Sequence, residues 1–268
     1  MTSPCATCTK RCCHHYVVTV SGYDAWVIAQ GMHLAPEQFL VAVPQQTPNR
    51  RGFLLDRSAR TYDIALDKAP ADSEEKPCVF WVGLPSGVGR CGIYGLRPFV
   101  CQTYPAWMVE GTVERREDVL CAPDAWRDGI LQRPVWRERL LQMHVEFDIY
   151  ELAVARWNYH VLHTAHPANI SVPVYFTYLM NYYARVAPIC AGLDSTAWQA
   201  LCVAWGECYL RGISPLMSGS ADLAPWAPVL DAILAVADSF FPGDLPLEAV
   251  PVPAALPGTP DAAAGADY

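Results

Sequence analysis

Cysteine is the residue type through which this sequence could carry chemistry. The chain contains eleven cysteines, and eight of them lie within its first 121 residues. These eight are Cys5, Cys8, Cys12, Cys13, Cys78, Cys91, Cys101 and Cys121. Thiolates are soft ligands and are typical of zinc sites and iron–sulfur clusters. We therefore predict that all eight bind a metal centre.

The N-terminal cysteines are spaced for metal binding. Cys5 and Cys8 form a C-x2-C pair, in which two thiolates can reach one metal ion. Cys12 and Cys13 are adjacent, and because neighbouring side chains diverge, we expect them to bind different metal atoms. The segment is polar, so its thiols do not fit the other common role of cysteine, a small buried apolar side chain. That role fits the last three cysteines, Cys190, Cys202 and Cys208.

Composition and charge limit the cellular setting and the partners. The first residues lack the basic start and the apolar run of a secretory signal, so we expect a cytoplasmic protein with reduced thiols. No uninterrupted run of about 18 apolar residues occurs, so no membrane span is expected. A net charge of −8 and a pI of about 5.3 argue against nucleic acid as the main partner.

The first 125 residues predict a small, loop-rich α+β unit around the cysteines. Ser21 and Asp24 fit a capping box, which starts a helix over residues 22–30. Pro98 suits the first turn of a short helix that carries Cys101. The predicted strands are 15–20, 52–55, 61–66 and 78–82, followed by a hairpin of 106–109 with 112–116. Such a unit has little regular core, so bound metal would supply part of its folding energy.

The sequence changes character near residue 130. Helical periodicity predicts four helices, over residues 134–163, 172–186, 196–211 and 224–241. The predicted fold class is α+β, with a cysteine-cluster metal-binding domain over residues 1–125 and a helical domain or cap over 130–241. Residues 242–268 are rich in Pro, Ala and Gly and are predicted to form a disordered tail. We expect metal removal to loosen the first half before the helical half.

The cysteine segments together resemble a known family. They read C-x2-C-x3-C-C from Cys5, then Cys78-Val-Phe-Trp, then Arg90-Cys91-Gly-Ile-Tyr94, then Arg97-Pro98-x2-Cys101-x2-Tyr104-Pro105. This pattern is similar to that of the YkgJ-type cysteine-cluster family, described as a zinc- or iron-chelating domain. The resemblance covers residues 5–125. The first group of that family is more often C-x2-C-x2-C-C, so this chain has one extra residue there, and which thiols share a metal stays open.

A shorter likeness implies a reaction class. Cys12-Cys13-His14-His15-Tyr16 is similar to the start of the cluster in bacterial flagellin lysine methylases. That likeness implies an iron–sulfur cluster and the modification of a peptide or protein side chain, by methyl transfer or redox chemistry.

The identity of the metal stays open at the level of sequence. All-thiolate ligation suits zinc and iron–sulfur clusters alike, and [4Fe–4S] is favoured, with zinc as the alternative. The eight cysteines could form two four-coordinate sites, or one cluster with the rest structural. Tyr94 and Arg97 are the candidate catalytic residues, and Arg97 could also offset thiolate charge.

Two functions are compatible with the sequence. The first is an iron–sulfur enzyme that modifies a side chain of a peptide or protein substrate. The alternative is a non-catalytic zinc- or iron-binding module with a helical, partner-binding half. A second possible metal site follows from the i, i+4, i+7 spacing of His144, Asp148 and Glu151, although such groups are more often structural. No oligomeric state is predicted.

Overall fold

Short strands fill the first half of the chain and long helices the second, which confirms the predicted α+β class. The computed structural model describes residues 12–58, 60–70, 76–84, 89–117, 119–121, 126, 129–163, 166, 169–218 and 221–241. The helices are α1 (Cys12–His15), α2 (Gly22–Met32), α3 (Phe99–Thr103), α4 (Pro134–His163), α5 (Val172–Ala191), α6 (Ser195–Leu210), α7 (Pro215–Ser218) and α8 (Ala227–Phe240). The strands are β1 (Leu40–Pro44), β2 (Phe53–Leu54), β3 (Thr61–Leu66), β4 (Trp81–Gly83), β5 (Gly89–Cys91), β6 (Ala106–Val109) and β7 (Thr112–Arg115).

A three-stranded antiparallel sheet, in the order β1–β3–β2, connects the two halves of the molecule. Leu40 of β1 pairs with Leu66 of β3, and Ile64 of β3 is buried. Phe53 of β2 stacks on Tyr175 of α5, with ring centroids 3.9 Å apart. The sheet therefore packs directly on the helical half.

The predicted capping box at the start of α2 is present. The Ser21 hydroxyl accepts a hydrogen bond from the Asp24 N–H (3.1 Å), and the Asp24 carboxylate accepts one from the Ser21 N–H (3.0 Å). The helix runs to Met32, two residues beyond the predicted end. Gly31 does not end the helix; its missing side chain admits Leu96, since a Cβ there would lie 2.5 Å from Leu96 Cδ1.

The long helix α4 is central and has the bounds that the sequence predicts. Its Trp157 Nε1 donates to the Leu54 carbonyl (2.7 Å), and its Asn158 side chain bonds both the Leu54 N–H (2.8 Å) and the Gly52 carbonyl (2.9 Å). These side chains form hydrogen bonds with backbone groups at β2 that the pairing of so short a strand leaves without partners. α4 thereby fixes the sheet to the helices.

One hydrophobic core extends across both halves. Val20, Ile28 and Phe39 from the first half belong to the same buried cluster as Tyr175 and Leu201 from the second. The boundary near residues 125–130 stays a prediction, but the apolar side chains on its two sides are buried together. The first half therefore has more core than its short elements suggested.

Several predicted elements differ from the structure. Residues 15–20 are not a strand, because α1 extends to His15 and only Thr19 forms a bridge, with Ala65. The strand predicted from Cys78 begins at Trp81, because Cys78 forms an isolated bridge to Lys68 instead. β1 was not predicted.

The helical half also differs in detail. α5 continues five residues past Val186, to Ala191, although Pro188 lies in its last turns. The helix predicted over 224–241 is a 3-10 turn (Ala221–Trp226) followed by α8. The predicted tail, residues 242–268, lies outside the described residues.

One helical stretch among the described residues, Leu223–Phe240, is long and apolar enough to cross a membrane by length and composition alone, with a mean hydropathy of 1.3. Here Ile233 and Ala237 of α8 lie in the core. Asp238, on the same helix, forms an ion pair with Arg156 of α4. The stretch therefore packs against the rest of the protein on one side.

Candidate metal centre

Six cysteine thiols line one cavity of about 410 Å³. They come from five separate chain segments and are Cys12, Cys13, Cys78, Cys91, Cys101 and Cys121. All six are free thiols, and each is buried or half-buried. The other two predicted ligands, Cys5 and Cys8, lie outside the described residues. Folding thus brings together six of the eight cysteines that the sequence singles out.

Lys68 holds the α1 segment at the cavity. Its Nζ donates to the carbonyl oxygens of Cys13 (3.0 Å) and Tyr16 (2.6 Å). The Cys13 carbonyl also accepts a hydrogen bond from the Cys78 N–H (2.8 Å). A cation at the end of a helical turn stabilises carbonyls that lack an intrahelical partner. Sequence reasoning missed Lys68, because a lysine in a polar loop is ordinarily a solvated side chain.

Asp24 positions the helix that carries Cys101. One carboxylate oxygen caps α2, and the other accepts a hydrogen bond from the N–H of Phe99 (2.9 Å), the first residue of α3. Asp24 is 6% exposed, and burial raises the pKa of its carboxyl to about 6. A single buried side chain therefore fixes the start of two helices and, through α3, the place of Cys101.

We expect Asp24→Ala to destabilise the protein by about 2–4 kcal/mol, because it removes a helix cap and leaves the buried Phe99 N–H without an acceptor. The change in the free energy of unfolding is measured by urea titration under reducing conditions. Asp24→Asn is the matched control, since its side-chain oxygen can still accept a hydrogen bond from the Phe99 N–H. We therefore expect a smaller loss in the free energy of unfolding for this variant. Equal losses for the two variants would contradict this role.

The β4–β5 hairpin positions Cys91. Trp81 lies directly opposite Cys91 in the register of the two strands. Gly89 leaves room for the indole in its present position, because a Cβ there would lie 1.9 Å from the Trp81 indole nitrogen. His14 packs edge-on against the Trp81 ring, with centroids 4.6 Å apart, whereas His15 is exposed. The indole thus covers one wall of the cavity.

Tyr104 fixes the segment that ends in Cys121. Its hydroxyl accepts a hydrogen bond from the Leu120 N–H (3.0 Å), and its ring lies 5.8 Å from the ring of Tyr16. Tyr16, Tyr104 and Cys121 all line the cavity. Tyr104 thus lies among the residues that surround the cysteines.

The six thiols differ in their electrostatic surroundings. A side-chain hydrogen bond with Cys12, helped by the charges of Lys68 and Arg97, lowers the pKa of Cys13 to about 6 against the effect of burial. Burial raises the pKa of Cys78 to about 11 and that of Cys101 well above its usual value. A coordinated thiol is deprotonated, so a bound metal would have to displace protons from the more buried thiols.

Tyr94 and Arg97 lie together among the residues that line the cavity. The Arg97 guanidinium lies 3.8 Å from the centroid of the Tyr94 ring, and its Nε donates to the Tyr94 carbonyl (3.1 Å). Tyr94 is 57% exposed, so it does not cover the cysteines as a buried side chain would. Arg97 contributes to the lowered pKa of Cys13. Burial raises the pKa of Cys91, and the Arg97 charge opposes that increase, as expected of a cation beside thiolates.

The donor set fits a thiolate-bound metal centre. Among the described residues, which omit Cys5 and Cys8, no three Cys, His, Asp or Glu side chains are grouped so as to hold a single metal ion. The six cysteines are instead among the residues that line the cavity. All-sulfur donors, free of disulfides, with cationic side chains beside them, suit zinc or an iron–sulfur cluster.

The spacing of His144, Asp148 and Glu151 reflects packing among the helices. Asp148 accepts hydrogen bonds from Trp205 Nε1 (2.7 Å), the Leu216 N–H (3.3 Å) and the hydroxyl of Ser214. Glu151 accepts one from the Tyr209 hydroxyl. His144 stacks on Tyr209, and burial lowers its pKa to about 4. The carboxylates thus bind neighbouring side chains, and no metal-holding group occurs here among the described residues.

Comparison with known families agrees with the site. Residues 4–122 match the CxxCxxCC family, described as a putative zinc- or iron-chelating domain. The match includes all eight predicted ligands and confirms the resemblance to a cysteine-cluster family. No curated protein and no solved structure matches the chain significantly.

Proposed function

We propose that residues 4–122, which match a family of zinc- or iron-chelating domains, bind an iron–sulfur cluster, and that the cavity beside it accepts a side chain of a peptide or protein for modification. The observation that carries the proposal is the convergence of thiols from five chain segments on one cavity. A [4Fe–4S] cluster is favoured over zinc.

The distribution of the sulfurs supports a cluster. A single zinc ion needs four donors at about 2.0–2.3 Å from one point. A cluster of several irons spreads its thiolates, because each one binds its own iron atom. Six cysteines that line one cavity, with no three donors grouped around a single ion among the described residues, suit the second geometry better. The ligands would be drawn from the eight cysteines of the first 121 residues, and the bound cluster would exchange single electrons.

The protein's own residues would prepare this centre. Lys68 and Arg97 lie close enough to lower the pKa of Cys13 and would offset part of the thiolate charge. Trp81 and Tyr104 would exclude water from two walls of the cavity. Val17 and Tyr94 line the cavity and are 53% and 57% exposed, which supports an opening suited to an apolar or aromatic part of a substrate.

A non-catalytic metal module is the second candidate, and one observation favours it. Cys78 belongs to the main hydrophobic core, and Cys13 and Cys91 pack against it. A metal bound by these thiols would join the N-terminal segment to that core. Such a role needs no substrate.

The absorption spectrum of anaerobically purified protein tests the metal. We expect a brown protein with a broad absorption in the blue region and with acid-labile sulfide, because thiolate-to-iron charge transfer absorbs there. A colourless protein that contains only zinc would overturn the iron–sulfur proposal and favour the module.

Addition of a small thiol such as 2-mercaptoethanol then separates the two functions. A centre with a coordination position open to the cavity changes its spectrum as the thiol binds. A closed four-thiolate site keeps its spectrum, and that result would support the structural role.

A further inference from the structure

A second cavity, of about 310 Å³, lies between α2, α4, α5 and the start of α6, apart from the cysteine cavity. Among its lining residues are Tyr23 of α2, Glu146 of α4, Tyr183 of α5 and Trp198 of α6. None of these residues lines the cysteine cavity. The volume is within the range of small-molecule sites.

Glu146 gives this cavity its chemistry. The side chain is 4% exposed, and among the described residues its carboxyl makes no hydrogen bond or ion pair. The charge that acts on it is the carboxyl of Asp24, which has the same sign. A buried carboxyl without a partner is costly in a folded protein, which points to a ligand that supplies the missing partner.

The aromatic side chains around Glu146 add a second, independent observation. The hydroxyl of Tyr183 is buried and has no hydrogen-bond partner among the described residues. The rings of Tyr23, Tyr183 and Trp198 border the cavity, and Ile149 and Val186 complete an apolar wall. Aromatic faces attract organic cations, and an apolar wall accommodates their carbon atoms.

We propose that this cavity binds a small organic cation, an alkylammonium group, with the Glu146 carboxylate as its counter-ion and the surrounding aromatic rings as its walls. A neutral ligand of the same shape would leave the carboxyl without a partner. An anion would be repelled by Glu146 and Asp24. The site is independent of the metal centre and of the function proposed for it.

The protonation of Glu146 gives binding a characteristic pH dependence. Burial, and secondarily Asp24, raises the pKa of Glu146 to about 8, so a cation bound at pH 6.5 must displace its proton. The titratable groups that face Glu146 are Tyr23 and Asp24 from α2, Tyr182, Tyr183 and Cys190 from α5, and Cys202 from α6. Asp24 acts on the pKa of Glu146, and the Glu146 charge in turn helps to raise the pKa of each of the others. Since most of the carboxyl is ionised at pH 8.5 and little of it at pH 6.5, affinity should be about tenfold or more higher at pH 8.5.

Calorimetric titration of the full chain tests the site with cyclohexylammonium and with cyclohexanol as the neutral probe of matched shape. We expect the cation to bind at least about tenfold more tightly than the alcohol at pH 8.5. Glu146→Gln should abolish this preference, and Tyr183→Phe should weaken binding. Glu138→Gln, an exposed position on the same helix, should bind as the unaltered protein does.

Three results would overturn the proposal: no binding of cyclohexylammonium at millimolar concentration, equal binding of the two probes, or an unchanged preference in folded Glu146→Gln. If Glu146→Gln does not fold, the proposal is tested by the pH dependence of cyclohexylammonium binding to the unaltered protein. Equal affinity at pH 6.5 and 8.5 would reject the Glu146 carboxylate as the counter-ion.

Discussion

Cys101→Ala is expected to lower the metal content of the purified protein by about tenfold or more, whereas Cys202→Ala should leave it unchanged. Cys101 lies on α3 and lines the cavity with the other thiols, so its loss removes one of the donors from which the centre would be built. Cys202 is buried on α6, in the helical core. Each substitution deletes one sulfur atom, from a half-buried position at Cys101 and from a buried one at Cys202, and only the first deletes it from the cavity.

Cys8→Ala extends the experiment to the N-terminal pair. If Cys8 and Cys101 serve one centre, both variants lose metal, although 93 residues separate them along the chain. Metal content is measured on protein purified without added metal, and circular dichroism confirms that the variants are folded. Full metal content in both variants would show that these cysteines are not its ligands.

Removal of the metal should loosen the cysteine segments before the helices. α1, α3 and the strands β4 and β5 are short, with five residues at most in each, and are held near the cavity by few backbone hydrogen bonds. α4, α5 and α6 pack on one another through large buried side chains such as Trp157, Tyr182 and Trp205. Metal–thiolate bonds contribute folding energy directly in small, loop-rich domains, so their loss acts first on the short elements.

Hydrogen exchange before and after chelation measures this difference. We expect protection to fall by about a hundredfold or more in residues 89–117 and to change little in α5. The β1–β3–β2 sheet should stay protected, because Trp157 and Asn158 of α4 bind the backbone of β2. Equal loss of protection in α5 and in residues 89–117 would contradict a local role of the metal.

Some elements could be predicted because their signals lie within a few residues. The capping box of Ser21 and Asp24 starts α2 as predicted. The β6–β7 hairpin turns at Glu110 and Gly111, whose φ angles of 47° and 80° are both positive, as a tight two-residue hairpin turn requires. The limits of α4 follow from Pro134 and a long apolar periodicity.

Other features had no local signal. The strand expected over residues 15–20 became the end of α1 and an irregular segment with a single bridge to β3. Lys68 is bound to this segment through the Cys13 and Tyr16 carbonyls, although more than fifty residues separate them. The capping pattern of Ser21 and Asp24 likewise does not predict that Asp24 also accepts a hydrogen bond from the distant Phe99 N–H.

The residue types that could bind metal, their number and the class of ligand they form were readable from the sequence, because thiolate chemistry belongs to the side chain and does not depend on the fold. The convergence of six thiols on one cavity, the cations beside Cys13 and the unpaired Glu146 carboxyl arise only in the folded chain. Each of them depends on contacts between residues far apart in sequence, and packing of the whole core selects those contacts.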